Sequence, residues 1–256
     1  MLRTRRASSK RSPVTYVMPL LFNRNAIGDV LASHPEKARR LLIRQGHEKI
    51  CEDLIDKARQ MGIQYRILPS DAFTKKCGTS RSHVCLERDD FNYTDQDDLL
   101  NRLGSIGTPF LAAFDGVKDP HNLGNIVRTS VCLGVDAIII PKDRSCMINE
   151  TVANVSRGAV DFIEVVRATN LARYLDALKK LGVFCYGLDE HARTVLWEID
   201  LSGPVCLVMG GEEGLRRLTK ETCDDLVRIP TNPSFSSLNV ATAYALASYE
   251  VMKCRY

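Results

Sequence analysis

The sequence predicts an α/β protein: a C-terminal domain built on a mostly parallel sheet, preceded by a small α/β domain. Two observations predict it. Six apolar runs of strand length occupy the second part of the chain, FLAAF (110–114), DAIIIP (136–141), FIEVV (162–166), VFCYGL (183–188), PVCLVMG (204–210) and LVRIP (226–230), separated by helical patterns such as NLARYLDALKKLG. Strands that are apolar throughout and alternate with helices indicate a parallel sheet covered on both faces. The second observation is a polar, acidic interruption, DDFNYTDQDD, that divides this alternation from everything before it. The expected organisation is a basic disordered tail at 1–14, a small α/β domain at 15–88, a linker at 89–106 with room for a short helix, and the parallel-sheet domain at 107–256.

Bulk properties agree with a globular chain. Of 256 residues, 45% are apolar and 26% charged, which are ordinary values for folded proteins, and no apolar run approaches the length of a spanning helix. The formal net charge of +4 is a property of the tail, where Arg3, Arg5, Arg6, Lys10 and Arg11 stand without an acid among them. Such a tail is either a solvated extension or an electrostatic tether for RNA. The run VTYVMPLLF (14–22) follows it without a small-x-small cleavage site, so export is not expected, whereas an Arg- and Ser-rich, acid-poor start leaves an organelle transit peptide open. The nine cysteines include no C-x-x-C pair, and several lie in apolar strand-like runs. This usage suits reduced thiols in the cytoplasm and offers no metal site.

In the first domain, Ala26–Leu31 and Pro35–Leu42 suggest a helix and a strand. HEKICEDLIDKARQMG is an amphipathic helix with Ile50, Leu54, Ile55, Ala58 and Met61 as its buried stripe and Gly62 as its stop. IQYRIL follows as a strand, then the basic loop TKKCGTSRSH and the short strand VCLE.

In the second domain, ligands are expected beyond the carboxyl ends of the parallel strands, which selects the loops after Phe114, Met209 and Pro230. The first, DGVKDPHNLGNIVRTSVCLG, places Asn122 as N-cap of a helix whose buried stripe is Leu123, Ile126, Val127, Ser130 and Val131. Arg128 lies about 130° from the centre of that stripe, facing away from the core, as a solvated side chain or an anchor for an anion. The second, VMGGEEGLRRL, is a glycine turn that lets backbone amides approach a ligand and brings Glu212 or Glu213 to the same place. It matches neither a dinucleotide fingerprint nor a P-loop. The third, NPSFSSLNVATAYALASYE, puts Ser236, Ser237 and Asn239 at the mouth of a helix apolar in nearly every direction. One capping residue satisfies one or two free amides, so three polar groups exceed what capping needs. A helix apolar all round is expected to be buried all round, by the sheet on one side and by a second chain on another.

Taken together the loops resemble the signature motifs of the SpoU (TrmH-like) class of SPOUT RNA 2′-O-methyltransferases. The matching residues are Asp119-Pro120 with Asn122, Gly124, Ile126 and Arg128, then the Gly210–Gly214 turn, then Ile229-Pro230 and Ser237-Leu238-Asn239-Val240. The N-terminal domain resembles the L30e-like RNA-binding domain of many members, and PKDRS (141–145) is most similar to the 23S rRNA guanosine-2′-O-methyltransferase branch. The resemblance implies a SPOUT domain with a trefoil knot, S-adenosylmethionine as cofactor, an RNA substrate (rRNA or tRNA), and a homodimer. It further implies that Gly210, Ile229 and Leu238 hold the cofactor and that Asn122, Arg128, Glu212, Ser237 and Asn239 form the catalytic cluster. Lys75, Lys76, Arg81 and His83 are the expected RNA contacts of the first domain.

Three departures from the family pattern accompany the match. GGEEG is one residue shorter than the usual turn, Pro233 replaces a common glycine, and Val84-Cys85 follow His83 where Gln-Gly is frequent. A non-catalytic RNA-binding protein on the same scaffold is the rival expectation, arising from the short second turn. As a mechanistic expectation, a guanidinium is too weakly acidic to serve as a proton acceptor, so Arg128 is assigned to anchoring the target phosphate and nascent alkoxide.

Overall fold

The computed structural model describes residues 15–16, 20–232, 234 and 237–255. The expectations placed on residues 1–14, Pro233 and Ser236 fall outside these.

The first part of the chain runs β1 (Thr15–Tyr16), β2 (Leu20–Leu21), α1 (Arg24–Ser33), β3 (Ala38–Arg44), α2 (Glu52–Gln60), β4 (Gln64–Leu68), α3 (Ser70–Cys77) and β5 (Val84–Arg88). Four strands form a sheet in the order β2-β5-β3-β4, with β3 and β4 parallel and the other pairs antiparallel. Helices α1 and α2 cover one face through Ile27, Val30, Leu31, Leu54 and Ala58, and α3 covers the other through Phe73 and Cys77.

The stretch between 89 and 106 contains β6 (Phe91–Asn92), paired with β1, and α4 (Gln96–Leu103), capped by Asp95. Leu99 and Leu103 bury themselves against the large sheet, and the Thr94 amide donates to the Val165 carbonyl at 3.0 Å.

The remainder runs β7 (Phe110–Asp115), α5 (Pro120–Cys132), β8 (Ala137–Pro141), α6 (Glu150–Val155), β9 (Glu164–Ala168), α7 (Leu171–Lys180), β10 (Phe184–Leu188), β11 (Thr194–Val195), β12 (Val205–Gly210), α8 (Arg217–Thr222), β13 (Asp225–Arg228) and α9 (Val240–Lys253). Its seven strands form one sheet, ordered β11-β13-β10-β12-β7-β8-β9, in which every pairing is parallel. Helices α5, α6 and α9 lie over one face, and α4 and α7 over the other. Each face therefore buries its own layer of Val, Ile and Leu, which is why the strands read as unbroken apolar runs.

Three local expectations are corrected. Helix α5 begins at Pro120, with Asp119 as the cap accepting from the His121 amide at 2.9 Å, so Asn122 lies inside the first turn and its side chain is released from capping. An aspartate followed by a proline at N1 is a better start signal than the asparagine two residues later. Ile50 is 58% exposed, because residues 49–51 form a 3₁₀ turn whose different phase turns Cys51 inward instead, and Met61, 44% exposed, is the C-cap beyond the last turn of α2. Lys75 and Lys76 belong to the last turn of α3 and not to a loop; Gly78, at φ 66°, ends that helix. Within the single chain helix α9 is buried along Ala241, Tyr244, Ala247, Ser248 and Val251, and Leu246 and Tyr249 stand about half exposed on its far side, the side for which a second chain is expected.

The two sheets are joined by a buried polar contact. Arg88, at the end of β5, pairs with Asp161 just before β9, with both side chains at 5% exposure or less. Lys37 donates to the Asp161 carbonyl at 2.8 Å, and Asn154 of α6 accepts from the Phe22 amide at 3.1 Å.

Candidate active site

Chain order reverses between β7 and β12: β8 and β9 extend the sheet to one side of β7, and β12, β10 and β13 to the other. Loops at such a switch point splay apart and leave a crevice beyond the carboxyl ends of the strands. Here the crevice is a cavity of about 680 Å³, lined by the segments that follow β10, β12 and β13 and by Asn122 from α5. That volume is in the range of small-molecule sites.

Asn239 ties the mouth together. Its side-chain oxygen accepts from the Ala241 amide at 2.9 Å and so caps α9, while its side-chain amide donates to Asn122 Oδ1 at 2.9 Å. A residue read from sequence as an excess cap thus performs two tasks, and the second requires α5 to start early enough to free Asn122.

The glycines of the second loop are dictated by packing. A Cβ on Gly210 would stand 2.2 Å from the Gly214 carbonyl carbon, and one on Gly211 would stand 2.3 Å from the Gly116 carbonyl oxygen. The turn is closed by the Gly214 amide bonding to the Gly211 carbonyl at 3.0 Å, with Gly214 at φ 75°. Asp115, buried at the end of β7, accepts from the Arg216 amide at 3.0 Å and from Arg216 Nε at 2.6 Å, fixing the far end of the turn to the neighbouring strand. Gly124 has a different reason to be glycine. A Cβ there would meet Val155 Cβ at 2.6 Å, so it lets α5 pack closely on α6 and takes no part in the cavity.

Of the expected site residues, Asn122, Glu212, Ser237 and Asn239 line the cavity, as do Gly210, Ile229 and Leu238. Arg128 does not: it is exposed on α5, beyond the cavity wall, with no ion pair among the described residues. Both carboxylates of the turn line the cavity, but Glu213 bonds to Lys118 at 3.0 Å, which holds its carboxyl below the usual carboxylate range. Glu212 is left as the carboxylate without a cation partner among the described residues. The RNA-contact candidates are on the other sheet: Lys75 and Arg81 are exposed, Lys76 pairs with Glu87 at 2.6 Å, and His83 stacks on His47 with ring centroids 3.9 Å apart.

A fourth wall escaped the sequence reading. Leu188, Asp189, Glu190 and His191 follow β10 into the cavity, and Lys220 of α8 bonds to Asp189 across it. Burial opposes ionisation of Asp189, yet the Lys220 hydrogen bond and the His191 amide outweigh it and hold this carboxyl below its ordinary value. The signal was present, since VFCYGL is as much a parallel strand with a carboxyl end as the three that were selected.

The lining suits S-adenosylmethionine. Leu188, Met209, Val227, Ile229 and Leu238 offer apolar walls to a flat base, and Asp189, Glu190 and Glu212 offer acceptors and negative charge to ribose hydroxyls and a sulfonium cation.

Comparison with known proteins agrees with this reading. The model of the SpoU rRNA Methylase family matches residues 109–249. A 23S rRNA (guanosine-2′-O-)-methyltransferase RlmB of Coxiella burnetii is 35% identical over 92% of this chain and 95% of its own. The RlmB of Xylella fastidiosa strain 9a5c is 39% identical over 90% and 94% of the two chains. Among solved structures, the SpoU methyltransferase AviRb of Streptomyces viridochromogenes in complex with AdoMet shares the fold, with a TM-score of 0.75 at 23% identity over 92% of this chain and 90% of that one. An AdoMet-bound rRNA methyltransferase of Sinorhizobium meliloti gives 0.73 at 23% identity, covering 92% and 87%. With a family model spanning more than half its length and relatives aligned almost end to end, the chain belongs to the SpoU rRNA methylase family.

Proposed function

We propose that this chain transfers a methyl group from S-adenosylmethionine to a ribose 2′-hydroxyl of 23S rRNA, on a guanosine as the names of its relatives have it. The observation that carries the reading is the Asn239–Asn122 hydrogen bond, which joins the first and third motifs over a cavity floored by the second. The bound cofactor supplies an electrophilic methyl group on a positively charged sulfur. Gly210, Ile229 and Leu238 hold it, chiefly through backbone groups, and the apolar walls exclude water from the reacting atoms. Glu212 faces the same space as the carboxylate of the motif. Ser237 and the Asn122 side chain, oriented by Asn239, position the incoming ribose. Arg128, exposed six residues beyond Asn122 on α5, anchors the target phosphate and the developing alkoxide, and that phosphate takes the hydroxyl proton. The shortened turn gives no ground for an inactive scaffold, because it is closed by its own hydrogen bond and still presents both carboxylates.

In the same reading the C-terminal segment forms the family's trefoil knot, and the exposed Leu246 and Tyr249 of α9 are covered by a second copy of the chain. Lys75, Arg81 and His83 of the first domain contact RNA, with Lys76 shared between RNA and Glu87. The test is transfer of labelled methyl groups to 23S rRNA transcripts, with the product mapped for ribose methylation. Incorporation at a single 2′-oxygen is expected, and cofactor binding without any transfer to rRNA would overturn the reading. Light scattering of the purified chain should give twice the monomer mass of 28.6 kDa.

A further inference from the structure

Three loops stack beside the cavity, at the carboxyl ends of the adjacent strands β8, β7 and β12. The middle one, Gly116–Lys118, is held from both sides. From the β8 side the Cys146 amide and the Ser145 hydroxyl both donate to the Val117 carbonyl, at 2.7 and 3.2 Å. From the β12 side Gly211 presses on Gly116 so closely that no Cβ fits. Within the β8 loop Arg144 has φ 60°, a left-handed conformation uncommon for a residue with a side chain and a local cost that the surrounding contacts must sustain. Its side chain is exposed and makes no ion pair among the described residues. Lys118, 61% exposed, bonds to Glu213, 86% exposed, and Arg144 lies near enough to draw the Glu213 carboxyl further below its usual range. Lys118 thus pairs with a solvent-exposed carboxylate at the rim of the cavity, and the Arg144 backbone lies against Gly116, two residues before Lys118. An exposed pair of this kind contributes little to stability.

We propose that Lys118 and Arg144 grip the RNA backbone beside the target ribose, with Glu213 as the internal anion that a phosphate displaces from Lys118. The inference rests on the function proposed above and names its binding surface at the rim, distinct from the cavity and from the first domain. The strained backbone aims Arg144 and the rigid loop stack sets the spacing of the two cations. A backbone phosphodiester matches the carboxylate it replaces in charge and in acceptor oxygens, and charge-assisted hydrogen bonds from both cations hold it. Contacts of this type position a substrate without reading its sequence.

The experiment measures methyl transfer to 23S rRNA transcripts at several salt concentrations, with cofactor affinity followed in parallel by calorimetry. Lys118→Gln and Arg144→Gln should each raise KM for RNA about three- to tenfold. Each should also reduce the slope of log(kcat/KM) against log[salt] by about 0.7–0.9, the loss of one phosphate contact. Cofactor affinity should stay within twofold. Glu213→Gln should lower KM by freeing Lys118. Arg144→Gly, which removes the side chain while relaxing the backbone, should reproduce the KM effect of Arg144→Gln without loss of thermal stability. Unchanged KM and salt slope in both cation variants would overturn the proposal, as would a fall in cofactor affinity matching the change in KM. If the unaltered protein transfers no methyl group to rRNA, the proposed function fails first; if it does and the variants behave like it, only this inference fails.

Discussion

The side-chain amide of Asn239 donates to the side-chain oxygen of Asn122 at 2.9 Å, joining two residues 117 positions apart while the other end of the same Asn239 side chain caps α9. Capping and site assembly can be separated by substitution. Asn239→Asp keeps a good N-cap but removes the donor, so Asn122 must flip or lose its partner. The melting temperature should stay close to that of the unaltered protein while single-turnover methyl transfer at saturating cofactor falls at least tenfold. Asn239→Ala should lose turnover similarly and also cost about 1 kcal/mol of stability.

The glycines of the motifs should respond differently. Gly211→Ala drives a Cβ into the Gly116 carbonyl and should abolish cofactor binding by calorimetry, since backbone cannot yield as a side chain can. Gly124→Ala meets the Val155 side chain instead, and should destabilise by about 1–3 kcal/mol as overpacking does. Combining it with Val155→Ala should restore much of that loss in urea denaturation, with cofactor affinity close to normal throughout.

Arg128 stands outside the cavity lining, on the exposed face of α5. Arg128→Lys retains the charge but loses the planar fork that grips a phosphate. Turnover should fall by most of its value with cofactor affinity unchanged; unchanged turnover would remove Arg128 from the catalytic cluster.

The contact between the sheets is a buried ion pair, Arg88 with Asp161. Removing one partner strands a buried charge, so Arg88→Met or Asp161→Leu alone should cost about 3–5 kcal/mol, whereas the double substitution should recover most of it. Equilibrium unfolding of the four proteins gives the comparison.

Burial pushes the Tyr244 phenol up to about 12. An unfolded tyrosine titrates near ~10. The folded state therefore keeps its proton where the unfolded state loses it, and this contribution is complete below the unfolded value and is lost as pH rises through about 12. Tyr244→Phe should unfold with a shallower alkaline limb between these values than the unaltered chain.

Much was determined by sequence alone. Continuous apolar runs fixed the strands and their parallel pairing, because a strand covered on both faces has no polar side to show. The order of the three motifs, each at the end of such a run, located the cavity and most of its lining. The 3.6-residue period failed where a 3₁₀ turn changed its phase, at Ile50, and where Asp119-Pro120 took over the helix start from Asn122. What only tertiary structure decided is adjacency. Local patterns state which face of an element is buried, but not which element lies beside it. Hence β12 between β7 and β10, the β10 loop as a fourth wall, the Asn239–Asn122 bond and the Arg88–Asp161 contact between sheets all emerge from how distant segments pack. The same packing assigned Gly124 to a helix crossing and Gly211 to a turn, a distinction that two identical letters in a motif do not contain.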